Sequence, residues 1–139
     1  MYQKIIVIGN LGRDPEMRFT ASGQAVTNFN LASNTKYTAS DGQLVEETTW
    51  FRVSVWGKMA EACNQYLGKG SKVLVEGRLK PDPETGRPRV FERQDGTSGS
   101  SFEVTALTVK FLSTRAENEA FRTSVSGEQQ NSDSDDIPF

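Results

Sequence analysis

Residues 50–56 read Trp-Phe-Arg-Val-Ser-Val-Trp. Side chains alternate across an extended strand, so Phe51, Val53 and Val55 share one face and Trp50, Arg52, Ser54 and Trp56 share the other. The first set is an ordinary core. The second places a cation and a hydroxyl between two indoles, which neither a dry core nor a plain solvent face would carry. Flat rings flanking a guanidinium suit a ligand that is itself flat and anionic: bases stack on the rings, and Arg52 meets phosphate or stacks as a cation. Stacking accepts any base, so such a stripe gives affinity without sequence readout. The plainer reading covers the tryptophans with a loop or a subunit interface.

Other residues extend the same pattern. Lys72, Arg78 and Lys80 fall on the outward side of a later strand and enlarge the cationic surface, although a solvated strand face accounts for them equally well. Phe91 is interleaved with Arg87, Arg89 and Arg93 in a stretch rich in Pro and Gly, a pattern that suits a polynucleotide. Tyr37 is the aromatic of another long polar segment.

A second constellation lies at the other end of the chain. Asp133, Asp135 and Asp136 precede Ile137, Pro138 and Phe139, with Phe139 read as carrying a free carboxylate. Residues 113–132 are poor in aliphatic residues and rich in Ser, Glu, Gln and Asn. Such a stretch buries too little apolar surface to offset the entropy of ordering it, so a disordered acidic tail is expected over 113–139. Ile137 and Phe139 then have no core to join. Acid followed by an apolar tip reads as bait for a protein with a basic rim around a small apolar pocket. A solubilising tail is the alternative, and the aromatic residue oriented by Pro138 argues against it.

Charge separates along the same line. Residues 1–112 carry 14 Lys and Arg against 12 Asp and Glu, a formal +2, and residues 113–139 carry 2 against 6, a formal −4. The net −2 therefore averages a mildly basic domain and an acidic tail, a split that fits a polyanion ligand or a protein partner. The single cysteine, Cys63, allows no disulfide within the chain, and there is no histidine to act as general base or zinc ligand. Gly68-Lys69-Gly70 and Gly9-Asn10-Leu11-Gly12 both lack phosphate-loop spacing. No catalytic residues, metal site or cofactor are expected. With no apolar run long enough for a membrane and no signal segment, a cytoplasmic, nucleoid-associated protein is expected.

Five main strands must position these residues. The pattern predicts strands over 4–12, 25–33, 48–56, 72–80 and 102–111, the first mostly buried on both faces. Residues 34–47 read as a long hairpin loop, and 81–101 as a long loop or protruding hairpin. Met59, Ala62, Cys63 and Tyr66 fall at helical spacing, predicting a short helix over 58–67 that the glycines at 68 and 70 stop. An all-β chain of five strands with one short helix between the third and fourth describes a five-stranded OB-fold barrel. A small open β-sandwich, the rival, would not need that helix. The expected division is a binding domain over 1–112 and a tail over 113–139.

Several blocks, taken in order, resemble the bacterial single-stranded DNA-binding protein family. They are Ile8-Gly9-Asn10-Leu11-Gly12-Arg13-Asp14-Pro15-Glu16, Trp50-Phe51-Arg52-Val53, Trp56-Gly57-Lys58-Met59-Ala60-Glu61, Tyr66-Leu67-Gly68-Lys69-Gly70-Ser71, Val75-Glu76-Gly77-Arg78-Leu79 and the closing Asp135-Asp136-Ile137-Pro138-Phe139. The resemblance implies base-stacking roles for Tyr37, Trp50 and Trp56 and cationic roles for Arg52, Lys58 and Lys69. It also implies a homotetramer that wraps single-stranded DNA, and a tip that recruits replication, recombination and repair proteins. The family often has a tryptophan early in the loop before the fifth strand. This chain has Lys80-Pro81-Asp82-Pro83 there, with Phe91 as the substitute. Two rivals belong to other classes. A small metal-dependent nuclease would need acids clustered on the binding face, where they are scarce. An assembly adaptor of the replication machinery would use the tryptophans as protein interfaces and bind little DNA.

Overall fold

The computed structural model describes residues 1–113. Asp133, Asp135, Asp136, Ile137, Pro138 and Phe139 of the expected partner-binding tip lie outside the described residues. The order is β1 (Ile5–Leu11), β2 (Glu16–Phe19), β3 (Ala25–Thr38), β4 (Leu44–Trp56), α1 (Lys58–Tyr66), β5 (Lys72–Leu79), β6 (Arg89–Glu92) and β7 (Ser98–Phe111). Five strands close on themselves in the cycle β1-β5-β7-β4-β3, the β1–β3 pairing of Asn10 with Ala32 and Leu11 with Leu31 completing the ring. Among the described residues β2 pairs only with β3 and β6 only with β7, so both flank the barrel. This is the OB-fold, with its helix between the third and fourth barrel strands.

Alternation fills the interior along β3, β4 and β5, and in β7 a register shift opposite Glu76 and Gly77 lets both Val104 and Val109 face inward. Phe29 and Leu31 of β3, Val53 and Val55 of β4, Val73 and Val75 of β5, and Val104 and Val109 of β7 are all buried. Burying one such side chain contributes about 1.5–3 kcal/mol, so this layer is what holds the ring closed. Gly57, at φ 73, turns the chain out of β4 into α1. The helix presents Ala60 and Cys63, followed by Leu67, to the core. Thr27, fully buried, donates its hydroxyl to the Ala60 carbonyl at 2.7 Å and fixes the helix against β3. Among the described residues no helix is long and apolar enough to cross a membrane.

Four local expectations change. β1 is not buried on both faces: Ile6 and Ile8 point outward, 57% and 48% exposed, because a single-layered barrel has an outer surface that the described residues do not cover. Residues 34–47 are mostly strand, not loop, with β3 and β4 paired out to Thr38 and Leu44. That arm stands clear of the core, so it shows no apolar alternation. Its side chains pair across the ladder instead, Thr48 donating to Asn34 at 2.6 Å. The buried stripe of α1 is Ala60, Cys63 and Leu67, while Met59 and Tyr66 are exposed. Leu79, at the open end of β5, is also exposed. The stretch 81–101 forms a protruding hairpin, β6 pairing with the first residues of β7.

Candidate nucleic-acid interface

β4 is flanked by β3 on one side and, in parallel, by β7 on the other. Its outward residues therefore gain neighbours from both: Arg52 stands between Asn30 and Glu103, and Ser54 between Asn28 and Thr105. Ser54 donates to Asn28 Oδ1 at 2.7 Å, which stiffens the middle of the row. Trp50 and Trp56 end the row, 49% and 39% exposed. At about 3.3 Å per residue their backbones stand roughly 20 Å apart, so the two rings serve different parts of a ligand rather than one base.

The β6–β7 hairpin rises beside the Trp50 end. Between it and the barrel runs an open groove of about 700 Å³, lined by Trp50, Phe51, Arg52, Arg89, Phe91, Phe102 and Glu103, with polar groups from Asn30, Thr48, Thr49, Ser100 and Ser101. The Phe51 and Phe102 rings pack with centroids 6.1 Å apart. Phe91 is steadied by the Arg93 guanidinium, 5.5 Å from its ring centroid, and Arg93 Nη1 donates to the Ser98 carbonyl at 2.8 Å. The groove thus offers aromatic side chains, two arginines and several hydroxyl donors around one space.

One acid lies within it. Glu103, with a side chain only 11% exposed, places Oε1 4.0 Å from Arg52 Nε and 3.8 Å from Arg89 Nη1. It ties the hairpin cation to the barrel cation and leaves the trio with one net positive charge. Carboxylates were expected to be scarce on this face, and Glu103 is the one acid among the residues lining the groove. It reaches Arg52 only through the parallel β4–β7 pairing, which no local pattern announces. Among the described residues no group of three or more His, Cys, Asp or Glu could hold a metal ion.

The structure brings Trp50, Arg52, Arg89 and Phe91 together. Lys80 lines an adjoining cavity of about 310 Å³ that shares Phe102 and Glu103 with the groove. Arg78 borders a separate cavity of about 430 Å³ with Met1, Tyr2, Gln3, Lys4 and Leu107. Trp56 lies at the far end of its row, next to Lys58, the first residue of α1. Lys69 sits on a turn tied to the chain after β1, its backbone N–H donating to Asp14 Oδ1 at 2.8 Å. Lys72, at the start of β5, faces Asn10 of β1. Tyr37 stands on the β3–β4 arm and donates its hydroxyl to Glu47 Oε1 at 3.1 Å. That hydrogen bond, with the carboxylate charge behind it, holds the phenol above its ordinary value of 10.0. Cys63 is fully buried, and desolvation pushes its thiol up to about 12. Besides Glu103, the sequence reading did not single out Phe102 or the hydroxyls of residues 48, 49, 100 and 101.

The chain and its fold are similar to those of known single-strand binding proteins. The Single-strand binding protein family matches residues 2–112. Single-stranded DNA-binding protein 1 of Chlorobaculum tepidum is 53% identical over 77 residues, 55% of this chain and 48% of that protein. The single-stranded DNA-binding protein of Neisseria meningitidis serogroup A is 38% identical over 115 residues, 83% of this chain and 62% of that protein. The chain thus spans about half to three-fifths of the length of these relatives. Among solved structures, a small single-stranded DNA-binding protein from Streptomyces coelicolor aligns with a TM-score of 0.64 at 26% identity, covering 78% of this chain and 93% of that one. A Plasmodium falciparum SSB in complex with ssDNA aligns with a TM-score of 0.67, covering 81% of this chain and 97% of that one; at 24% identity it speaks to the fold alone.

Proposed function

This chain belongs to the single-strand binding protein family, and from that premise we propose that it binds single-stranded DNA without sequence preference. The observation that carries the reading is the groove in which Trp50 and Phe91 face the same space as Arg52 and Arg89. Rings take up unpaired bases, guanidiniums take up phosphates, and the hydroxyls of Thr48, Thr49, Ser100 and Ser101 supply further donors to the backbone of the strand. Trp56, farther along the row, and Tyr37, held by Glu47, extend the stacking path. Lys58, Lys69, Lys72, Arg78 and Lys80 extend the cationic one. The work is binding and protection rather than catalysis, in the cytoplasm on nucleoid DNA. A duplex hides its base faces, so it forfeits the stacking. Anisotropy of labelled single strands of several compositions, set beside a duplex, tests this: strong and composition-blind single-strand binding is expected, and equal affinity for duplex would sink it.

Two further parts complete the reading. The outward Ile6 and Ile8 of β1 support burial of that strand against another subunit in a homotetramer, which sedimentation of the free protein would measure. The acidic segment over 113–139, ending in Asp133, Asp135, Asp136, Ile137, Pro138 and Phe139, serves as the docking peptide for replication, recombination and repair proteins, and residues 1–112 form the binding domain. Its acids meet a basic rim and its apolar residues a pocket. Pull-downs with and without residues 133–139 test that role.

A further inference from the structure

Building on the reading that Trp50 and Phe91 stack bases, we infer that Gly12 and Gly99 are positioning residues of the binding face, each supplying by its missing side chain the space its partner ring occupies. A Cβ on Gly12 would stand 2.6 Å from Cζ3 and 2.8 Å from Cη2 of Trp50. One on Gly99 would stand 2.7 Å from Cε2 and Cζ of Phe91, and 2.7 Å from an Arg93 guanidinium nitrogen. Carbon atoms pack at about 3.5–4.0 Å, so a methyl at either place must push the ring aside.

These two glycines differ from the other crowded ones. Gly9 and Gly77 face backbone, their Cβ positions only 2.3 Å from the Ala32 carbonyl oxygen and 2.1 Å from that of Thr105. Those serve close approach of strands in the barrel. Gly12 and Gly99 face the two rings that line the groove. Neither adopts a positive φ, so the backbone conformation does not demand glycine at either position.

Hydrogen bonds and strand pairing hold the backbone at both places, so the ring is the part that shifts more readily. Gly12 N donates to the Asn30 carbonyl at 3.0 Å, while the neighbouring Leu11 donates to Ser71 at 2.9 Å and accepts from Gly70 at 2.8 Å. Gly99 is the cross-strand partner of Phe91 in the β6–β7 ladder. Each ring is thus braced on one side and left open on another, with Trp50 49% and Phe91 38% exposed. A braced ring has less freedom to lose when a base stacks on it, which is how preorganisation raises affinity.

The test compares G12A and G99A with W50A and F91A in the full chain, by anisotropy with labelled oligo(dT). Each glycine variant should weaken binding by about fivefold or more, the lower end for losing one stacked base. Adding G12A to W50A should change affinity by less than about twofold, within the usual error of additivity. The near-UV circular dichroism of free G12A should change in the tryptophan band while the far-UV spectrum persists. Phenylalanine at position 50 reaches less far than the indole, so W50F should improve binding in the G12A background and weaken it in the wild type. If G12A alone is too unstable to assay, the same W50F rescue decides: recovery of fold and binding supports a ring clash, and failure to recover overturns it. Equal loss from G12A with or without Trp50 would also overturn the inference, as would glycine variants that bind normally while W50A does not. If W50A and F91A themselves bind like the wild type, the stacking reading fails and the inference goes with it.

Discussion

Replacing Glu103 with glutamine should tighten single-strand binding and steepen its dependence on salt. The carboxylate lies 3.8 Å from Arg89 Nη1 and 4.0 Å from Arg52 Nε, so it partly neutralises both cations before a ligand arrives. Its side chain is 11% exposed against 54% and 59% for the arginines, so the anion is fixed while the cations can swing toward a phosphate. At about 4 Å each contact is worth ~1 kcal/mol in a water-like dielectric and ~4 kcal/mol at an effective constant of about 20. With both arginines more than half exposed the lower figure applies, and such pairs measure about 0–1 kcal/mol. The fold should therefore survive the change. A phosphate held by either arginine would sit roughly 7 Å from the carboxylate, where repulsion is about 0.6 kcal/mol in water and about twice that if the effective dielectric is halved. Removing it predicts about 3- to 8-fold tighter binding at low salt. One more uncompensated cation should steepen the slope of log K against log salt by up to about 0.7. Anisotropy with oligo(dT) across a salt series reads both quantities. Weaker binding at an unchanged slope would mean that Glu103 chiefly anchors the Arg89 hairpin, and the competing-anion argument would be refuted.

W50A and W56A should each weaken poly(dT) binding by about 1–3 kcal/mol per base unstacked, with the far-UV spectrum intact; titrations that match the wild type for both would remove stacking from the account. R52A should make the salt slope shallower by about 0.7, one phosphate contact fewer. Burial raises the Cys63 thiol from 9.0 to about 12, so the fold favours the protonated form. That contribution is complete below about pH 9 and is lost as pH climbs toward about 12, and a thiol reagent near pH 8 should label Cys63 only as fast as the protein unfolds. Removing residues 133–139 should leave poly(dT) affinity equal or slightly higher while abolishing capture of replication and repair proteins from lysate; unchanged capture would return that segment to a solubilising role.

What the sequence made legible was whatever is encoded locally. Alternation in 50–56 separated Val53 and Val55 from the outward tryptophans, though Phe51, read as core, is half-buried and also lines the groove beside Trp50; the change of period after Gly57 located α1. Contacts made across the chain stayed hidden. Glu103 meets Arg52 because β7 lies parallel to β4, a pairing between segments some fifty residues apart with no turn to announce it. The β3–β4 arm read as loop because a ladder standing clear of the core needs no apolar face; its polar residues pair with one another instead. Ile6 and Ile8 suggested burial on both sides of β1, and the described residues cover only the inner side. Gly12 and Gly99 carried no signal, since the rings that need their emptiness come from other strands.

Titrating the intrinsic tryptophan emission of the full chain with poly(dT) at several salt concentrations tests the central claim most directly, because Trp50 and Trp56 are the chain's only tryptophans and both lie on the proposed contact row. The account predicts a saturable change in emission as bases cover the rings, with affinity falling as salt rises at roughly 0.7 in log K per log salt for each phosphate neutralised. Emission that stays constant through saturating poly(dT), or an affinity indifferent to salt, would contradict it.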